Sequence, residues 1–176
     1  MRNTLIILAL CVIAVALGAW LYFGHGGSAF QSSLPAPSQS TGTQTHAVSF
    51  SVIDSGMRAA AMSARKNYAI YTSAELADFW KKAHGDTSKL PLIDFSKNYV
   101  IAVFAGTEPS SGYAIKVTGV TDSDDTRSVA VAIDGPGSDC AVIEETTSPF
   151  EFVSVPVSSA ENLSHTDEHL TETCVH

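Results

Sequence analysis

Tyr99 to Val120 reads YVIAVFAGTEPSSGYAIKVTGV, and it divides into an apolar run, a turn and an alternating run. Tyr99 through Phe104 and Ala105 carries no charge, is rich in β-branched and aromatic types, and is short for a helix. That composition predicts a strand covered on both faces. Gly106, Pro109, Ser110, Ser111 and Gly112 then cluster, where proline presets φ and glycine admits positive φ, so the chain turns. Beyond the turn Tyr113, Ile115 and Val117 alternate with Ala114, Lys116 and Thr118, the period of a strand with one dry face. The simplest arrangement of the two is an antiparallel hairpin-like core.

Upstream, Thr72 and Glu75 have the spacing of a capping box and predict a helix to about His84, closed by Gly85. Leu76, Phe79, Trp80 and Ala83 fall on one face at i, i+3, i+4 and i+7, a stripe for the core rather than a ligand box. Val48–Val52 alternates as a first strand and Asn67–Tyr71 reads as a short second one, whereas the Ala-rich Met57–Arg65 reads as a helical turn or an irregular link. Downstream, Val129, Val131 and Ile133 mark another strand. Gly135 to Cys140 is a loop, and Phe150 to Val157 is a closing strand with Pro156 at its edge or end. Six to seven strands and one early helix predict an α+β domain built on a mainly antiparallel sheet. The alternative is a small all-β sandwich or barrel with one packed helix.

The segment TEPSSGYAIKV resembles the G-x-x-P-T-G-G-Y-x-I segment of the C-terminal domain of the protease complex subunit PrcB. Other pieces agree in order: the helix with Phe79-Trp80, Ile93-Asp94-Phe95 before the apolar strand, Pro136-Gly137, and Thr147-Ser148-Pro149-Phe150 before the last strand. The resemblance spans roughly residues 48 to 157, with Ser110-Ser111 where the family more often has Thr-Gly. It implies a protein partner, a protease or its complex. Pro109-Ser110-Ser111-Gly112-Tyr113 is also similar to the Asn-Pro-Thr-Thr-Gly-Tyr loop of chagasin-like inhibitors of cysteine proteases, with Glu108 in place of the Asn. The other two loops of that family are not evident, so inhibition ranks second.

Thr4 to Phe23 is an uncharged run of twenty residues, long enough for about 30 Å of hydrocarbon as a helix. A retained N-terminal transmembrane helix (1–23) is the favoured reading, with a cleaved signal peptide as its rival. Arg2 precedes the run and no Lys or Arg follows before Arg58, which places the N-terminus inside and the domain on the extracytoplasmic side. Residues 24–45, rich in Gly, Ser, Pro and Thr, read as a flexible tether with a root-mean-square reach of roughly 26 Å. Residues 46–157 form the expected domain and 158–176 a polar acidic tail. Net charge of −8 argues against a nucleic-acid partner.

The sequence offers no catalytic arrangement: Ser110 and Ser111 lack a Gly-x-Ser-x-Gly elbow, and only His46 and His84 lie within the domain. No phosphate-binding glycine loop or Cys-x-x-Cys appears, so neither enzyme activity nor a cofactor is expected. Asp122, Asp124 and Asp125 lack the Gly and distal Glu of a calcium loop and read as a solvated turn. His165 and His169 in the tail would share a helical face, but nothing apolar nearby supports a metal site, and none is expected. Cys140 and Cys174 are the thiols outside the apolar run and form a disulfide candidate that would pin the tail, a loose tail being the alternative. Partner binding is expected on two Pro-containing loops: Pro109, Ser110, Ser111, Gly112 and Tyr113 on one, Ser148, Pro149 and Phe150 on the other. Tyr113 and Phe150 are the candidate aromatic anchors, with core packing as the alternative for each because each stands at the start of a strand, and Ser110 is expected as an exposed tip.

Overall fold

The computed structural model describes residues 45–174, and the expected transmembrane run and nearly all of the tether lie outside them. Among the described residues no helix is long and apolar enough to cross a membrane. The strands are β1 (Thr45–Ala47), β2 (Ser51–Gly56), β3 (Lys66–Ile70), β4 (Asn98–Phe104), β5 (Ala114–Ser123), β6 (Thr126–Pro136), β7 (Phe150–Pro156) and β8 (Asn162–Glu172). One helix, α1 (Ser73–His84), separates β3 from β4.

They form two four-stranded sheets in the orders β1-β5-β6-β8 and β2-β7-β4-β3. Every pairing is antiparallel except β6 with β8, which is parallel. Tyr99, Ile101, Val103, Val153 and Val155 of the second sheet pack with Ile115, Val117, Val129, Val131 and Ile133 of the first in one buried cluster. The sheets therefore face each other across an apolar core, as a sandwich. On its outer side the second sheet packs Val100, Ala102, Phe104, Phe150 and Phe152 against Leu76, Trp80 and Ala83 of α1. The layers run sheet, sheet, helix, and β4 lies in the middle layer. That accounts for its unbroken apolar sequence, since both of its faces are covered.

The helix follows its sequence signals. Thr72 Oγ1 accepts from the Glu75 N–H at 3.2 Å and Glu75 accepts from the Thr72 N–H, while Gly85 closes the last turn at φ 86°. The link Met57–Arg65 is irregular and caps the helix C-terminus, because the Ala60 and Ala61 N–H groups donate to the Ala83 and Lys82 carbonyls at 3.0 and 2.9 Å. These are carbonyls the helix end would otherwise leave open.

Three sequence expectations change. β4 and β5 are not a hairpin, because β4 pairs with β3 and β7, and β5 pairs with β1 and β6. With both edges of β4 occupied, the alternating β5 buries its dry face against the opposite sheet instead. The first expected strand, Val48–Val52, is displaced: Val48–Phe50 form the link from β1 in one sheet to β2 in the other, and only Ser51 and Val52 lie in a strand. The segment expected as a tail outside the domain forms β8, which extends the first sheet beside β6 and brings the strand count among the described residues to eight.

Candidate protein-binding end

Two chain segments cross between the sheets at one end of the sandwich, Gly106–Tyr113 from β4 to β5 and Gly137–Pro149 from β6 to β7. The crossovers are laced together. Glu108 and Thr147 exchange backbone hydrogen bonds at 2.9 and 3.0 Å, and Thr147 Oγ1 donates to the Ser110 carbonyl at 2.9 Å. Ser111 donates its N–H to the Ile143 carbonyl at 3.0 Å, and its Oγ accepts from the Ile143 N–H at 2.9 Å. The link after β2 joins them: Ser148 Oγ donates to the Met62 carbonyl at 2.6 Å and the Thr107 N–H to the Ser63 carbonyl at 3.1 Å. Glycine carries the turns, with φ of 92° at Gly106 and 89° at Gly112.

A further tie comes from β8. Cys140 and Cys174 are joined by a disulfide with a Cα–Cα distance of 5.1 Å, and the Gly137 N–H donates to the Glu172 carbonyl at 2.9 Å. The second crossover is thereby fastened to the far end of the edge strand. Loops held this way lose little entropy when a partner docks.

The eight residues expected to bind a partner divide by burial. Pro109 and Gly112 are exposed, and Ser111 and Tyr113 are half-buried. Ser110, Ser148, Pro149 and Phe150 are buried, which corrects their assignment to a contact surface. Ser110 is only 9% exposed because its backbone carries the bond to Thr147 rather than the loop tip. Phe150 is core: its ring lies 5.2 Å from His84 edge-on and packs with Phe104 and Phe152. Apolar side chains at this end that face solvent include Val142 and Ile143, 39% and 68% exposed, on the loop that is hydrogen-bonded to Ser111. Ala141-Val142-Ile143 follows the Gly135–Cys140 loop and was not among the residues expected to bind. Its signal was an apolar triplet, next to a cysteine, with no alternation to make it a strand.

Charge at this end is mixed. Arg58 pairs with Glu145 across the lacing, and Lys116 with Asp134 at 2.8 Å. Partial burial pushes the Glu108 carboxyl above the usual range, with His169 pulling weakly the other way. His165 and His169 stand on β8, where a strand's period of two puts them on one side with Asp167 between. Asp167 is engaged by Arg65, and among the described residues no group of three or more His, Cys, Asp or Glu is arranged to hold a metal.

The architecture defines a β-sandwich module with a braced loop end and one packed helix. The family model described as PrcB C-terminal matches residues 99–156, the segment from β4 through β7 that contains both crossovers. The resemblance read from the sequence is thus shown for that segment. No curated protein and no solved structure matches the chain.

Proposed function

We propose that this chain is a membrane-tethered, extracytoplasmic protein-binding module without enzyme activity of its own, acting as an accessory subunit of a protease complex. The observation that carries the binding site is the exposed Val142–Ile143 pair, tied through Ile143 to Ser111 of the first crossover, on loops braced by hydrogen bonds and a disulfide. Apolar side chains on a rigid, polar-rimmed projection favour docking, since their burial is favourable and their ordering is already complete. The family match supports association with a protease complex. The uncharged run Thr4–Phe23 and the charge asymmetry around it support the tether and its orientation.

The test is a crosslinked pull-down from native membranes with the full chain and with Ile143→Asp, the captured proteins being identified by mass spectrometry. The expected result is capture of a protease or a protease-complex subunit by the wild type, at least tenfold weaker for the variant, with unchanged thermal melts. Capture that Ile143→Asp leaves intact places the interface elsewhere, and capture of proteins unrelated to proteolysis overturns the reading. Activity of the captured protease with and without the module separates a subunit from an inhibitor. Protease added to intact spheroplasts should digest the domain, and protection until lysis would reverse the orientation.

A further inference from the structure

Beside the first crossover a cavity of about 430 Å³ opens under the second crossover, and a second of about 440 Å³ lies beside α1, but both are lined largely by backbone or by groups already paired. A third, of about 400 Å³, differs in chemistry. It lies where the crossover, the end of β6, the end of β8 and the segment before β3 converge, and its lining includes Glu108, Tyr113, His169, Arg65, Ile133 and Leu170.

What distinguishes this cavity is which of its polar groups are already engaged. Arg65 is engaged through all three nitrogens: Nε and Nη2 grip both oxygens of Asp167, and Nη1 donates to Asn67 Oδ1 and to the Phe104 carbonyl. Its positive charge is neutralised by Asp167, so Arg65 is not free to bind an anion. The Glu108 carboxylate, the Tyr113 hydroxyl and the His169 imidazole, by contrast, make no hydrogen bond or ion pair among the described residues. The Tyr113 ring packs closely on β6 at Gly135, where a Cβ would approach its Cε1 to 3.1 Å. The Tyr113 phenol and the Glu108 carboxylate, neither of them hydrogen-bonded among the described residues, therefore line the same cavity on a braced backbone, with Ile133 and Leu170 as apolar walls. A partly desolvated carboxylate that makes no hydrogen bond and meets only the field of His169 is a costly arrangement that a cation relieves.

We propose that this cavity is a cation-recognition subsite, in which Glu108 and Tyr113 receive the ammonium or guanidinium of a Lys or Arg side chain presented by the protein partner. The aliphatic stem of such a side chain would lie along Ile133 and Leu170, while its charged head donates to the Glu108 carboxylate and to the Tyr113 hydroxyl oxygen. His169 in its neutral form offers a further acceptor. The assignment rests on the protein-binding reading above, and it adds the chemistry of one contact: the partner is basic where it meets this acidic chain, whose net charge is −8.

The experiment uses the full chain in micelles with labelled Ile and Leu methyl groups, titrated with blocked arginine amide, blocked lysine amide and blocked norleucine amide. The expected result is saturable shifts at Ile133 and Leu170 with the two basic amides and none with norleucine amide. Glu108→Gln should weaken the basic amides about tenfold with an unchanged melt, whereas Glu144→Gln on the exposed loop should not. Absent shifts, equal shifts with norleucine amide, or full binding by Glu108→Gln overturn the proposal. If Glu108→Gln melts early, Tyr113→Phe is read in its place, and unweakened binding there overturns the proposal equally. In the membrane pull-down, a partner captured equally by wild type and Glu108→Gln removes the partner's side chain as the source of the cation and leaves the protein-binding reading standing. A wild-type chain that captures nothing defeats that reading itself.

Discussion

Arg127 on β6 grips Asp122 across the β5–β6 hairpin with two parallel hydrogen bonds, Nε to Oδ1 at 2.7 Å and Nη2 to Oδ2 at 2.8 Å. The Arg127 side chain is only 4% exposed, and its remaining nitrogen reaches the opposite sheet, donating to the Pro156 carbonyl and the Tyr99 hydroxyl. One guanidinium thus fastens the hairpin and both sheets. Arg127→Met should cost about 3 kcal/mol in urea unfolding, and Arg127→Lys should recover little, because an ammonium cannot make the fork. The Arg127 hydrogen bonds hold the Asp122 carboxyl below its usual 3.8, so its stabilising contribution is complete above that value and is lost as pH falls through the depressed one. Arg127→Met should flatten the acid limb of the stability profile below pH ~4.

Glu151 is a buried carboxyl on β7 that accepts the Val117 N–H of the opposite sheet at 2.7 Å, next to the register shift between Val117 and Gly119. The irregularity in β5 frees that N–H from its ladder, and Glu151 satisfies it. Burial pushes the carboxyl above its usual 4.5, so the proton is held more tightly in the folded chain. Stability from this group is full below 4.5 and falls as pH rises through the raised folded value. Glu151→Gln keeps an acceptor without the buried charge and should melt higher than wild type at pH ~7, the difference shrinking toward pH ~4. Glu151→Leu strands the Val117 N–H and should cost about 1–3 kcal/mol. If Gln and Leu lose equally at neutral pH, the attraction of Lys116 for the carboxylate outweighs its desolvation.

Much of the fold was legible because its signals are local. The Thr72 and Glu75 side chains bond backbone within a few residues, and the stripe through Leu76, Trp80 and Ala83 is one face of one helix. The double-sided burial of β4 was written in its uninterrupted apolar run. Which strands become neighbours was not legible in the same way. A turn such as Glu108–Tyr113 suits a hairpin or a crossing between sheets equally, and the choice depends on β3 and β7 claiming both edges of β4. β8 was hidden for a related reason. Its sequence, NLSHTDEHLTE, is polar on both faces because it is an edge strand, held by backbone pairing to β6, by Arg65–Asp167 and by the disulfide rather than by apolar burial.

The candidate site was legible in place but not in detail. The Pro-Ser-Ser-Gly-Tyr loop does lie at a braced end of the sandwich. Serine, however, serves equally as a solvent-facing tip or as a lacing residue, and only its partners decide: Ser111 is bonded to Ile143 and Ser148 to Met62, across separations of 32 and 86 residues. Long-range bonds of that kind leave no local pattern to read.

The burial of Ser110 reverses the outcome expected of a charged tip. Ser110→Glu forces a carboxylate into a position 9% exposed and against the carbonyl-rich lacing, so the chain should lose about 2–3 kcal/mol rather than melt unchanged. Pro109→Ser, at an exposed position, should change the melt little. Equal melts for Ser110→Glu and wild type would show the tip to be open.

The Cys140–Cys174 disulfide joins residues 34 apart and anchors the end of β8. Loop-closure entropy predicts about 3–4 kcal/mol of lost stability on reduction or in Cys140→Ser. Hydrogen exchange should show the loss first in the C-terminal half of β8, while β4 stays protected. Uniform loss across both sheets would mean that β8 unfolds only with the whole domain.

Gly106 closes the apolar strand β4 and begins the crossover with φ at 92°, and a Cβ there would stand 2.8 Å from the Arg65 backbone nitrogen. Two costs therefore act together in Gly106→Ala: backbone strain of about 1–3 kcal/mol, and a steric push on the segment that carries Arg65. Because Arg65 holds Asp167 of β8, the push should loosen the clasp between the two sheet edges. Gly106→Ala is expected to lose about 3 kcal/mol in total, and its effect should be less than additive with Asp167→Asn, since each weakens the same contact. Full additivity in that double-mutant cycle would show that the strain stays within the crossover and that the Arg65–Asp167 pair does not feel it.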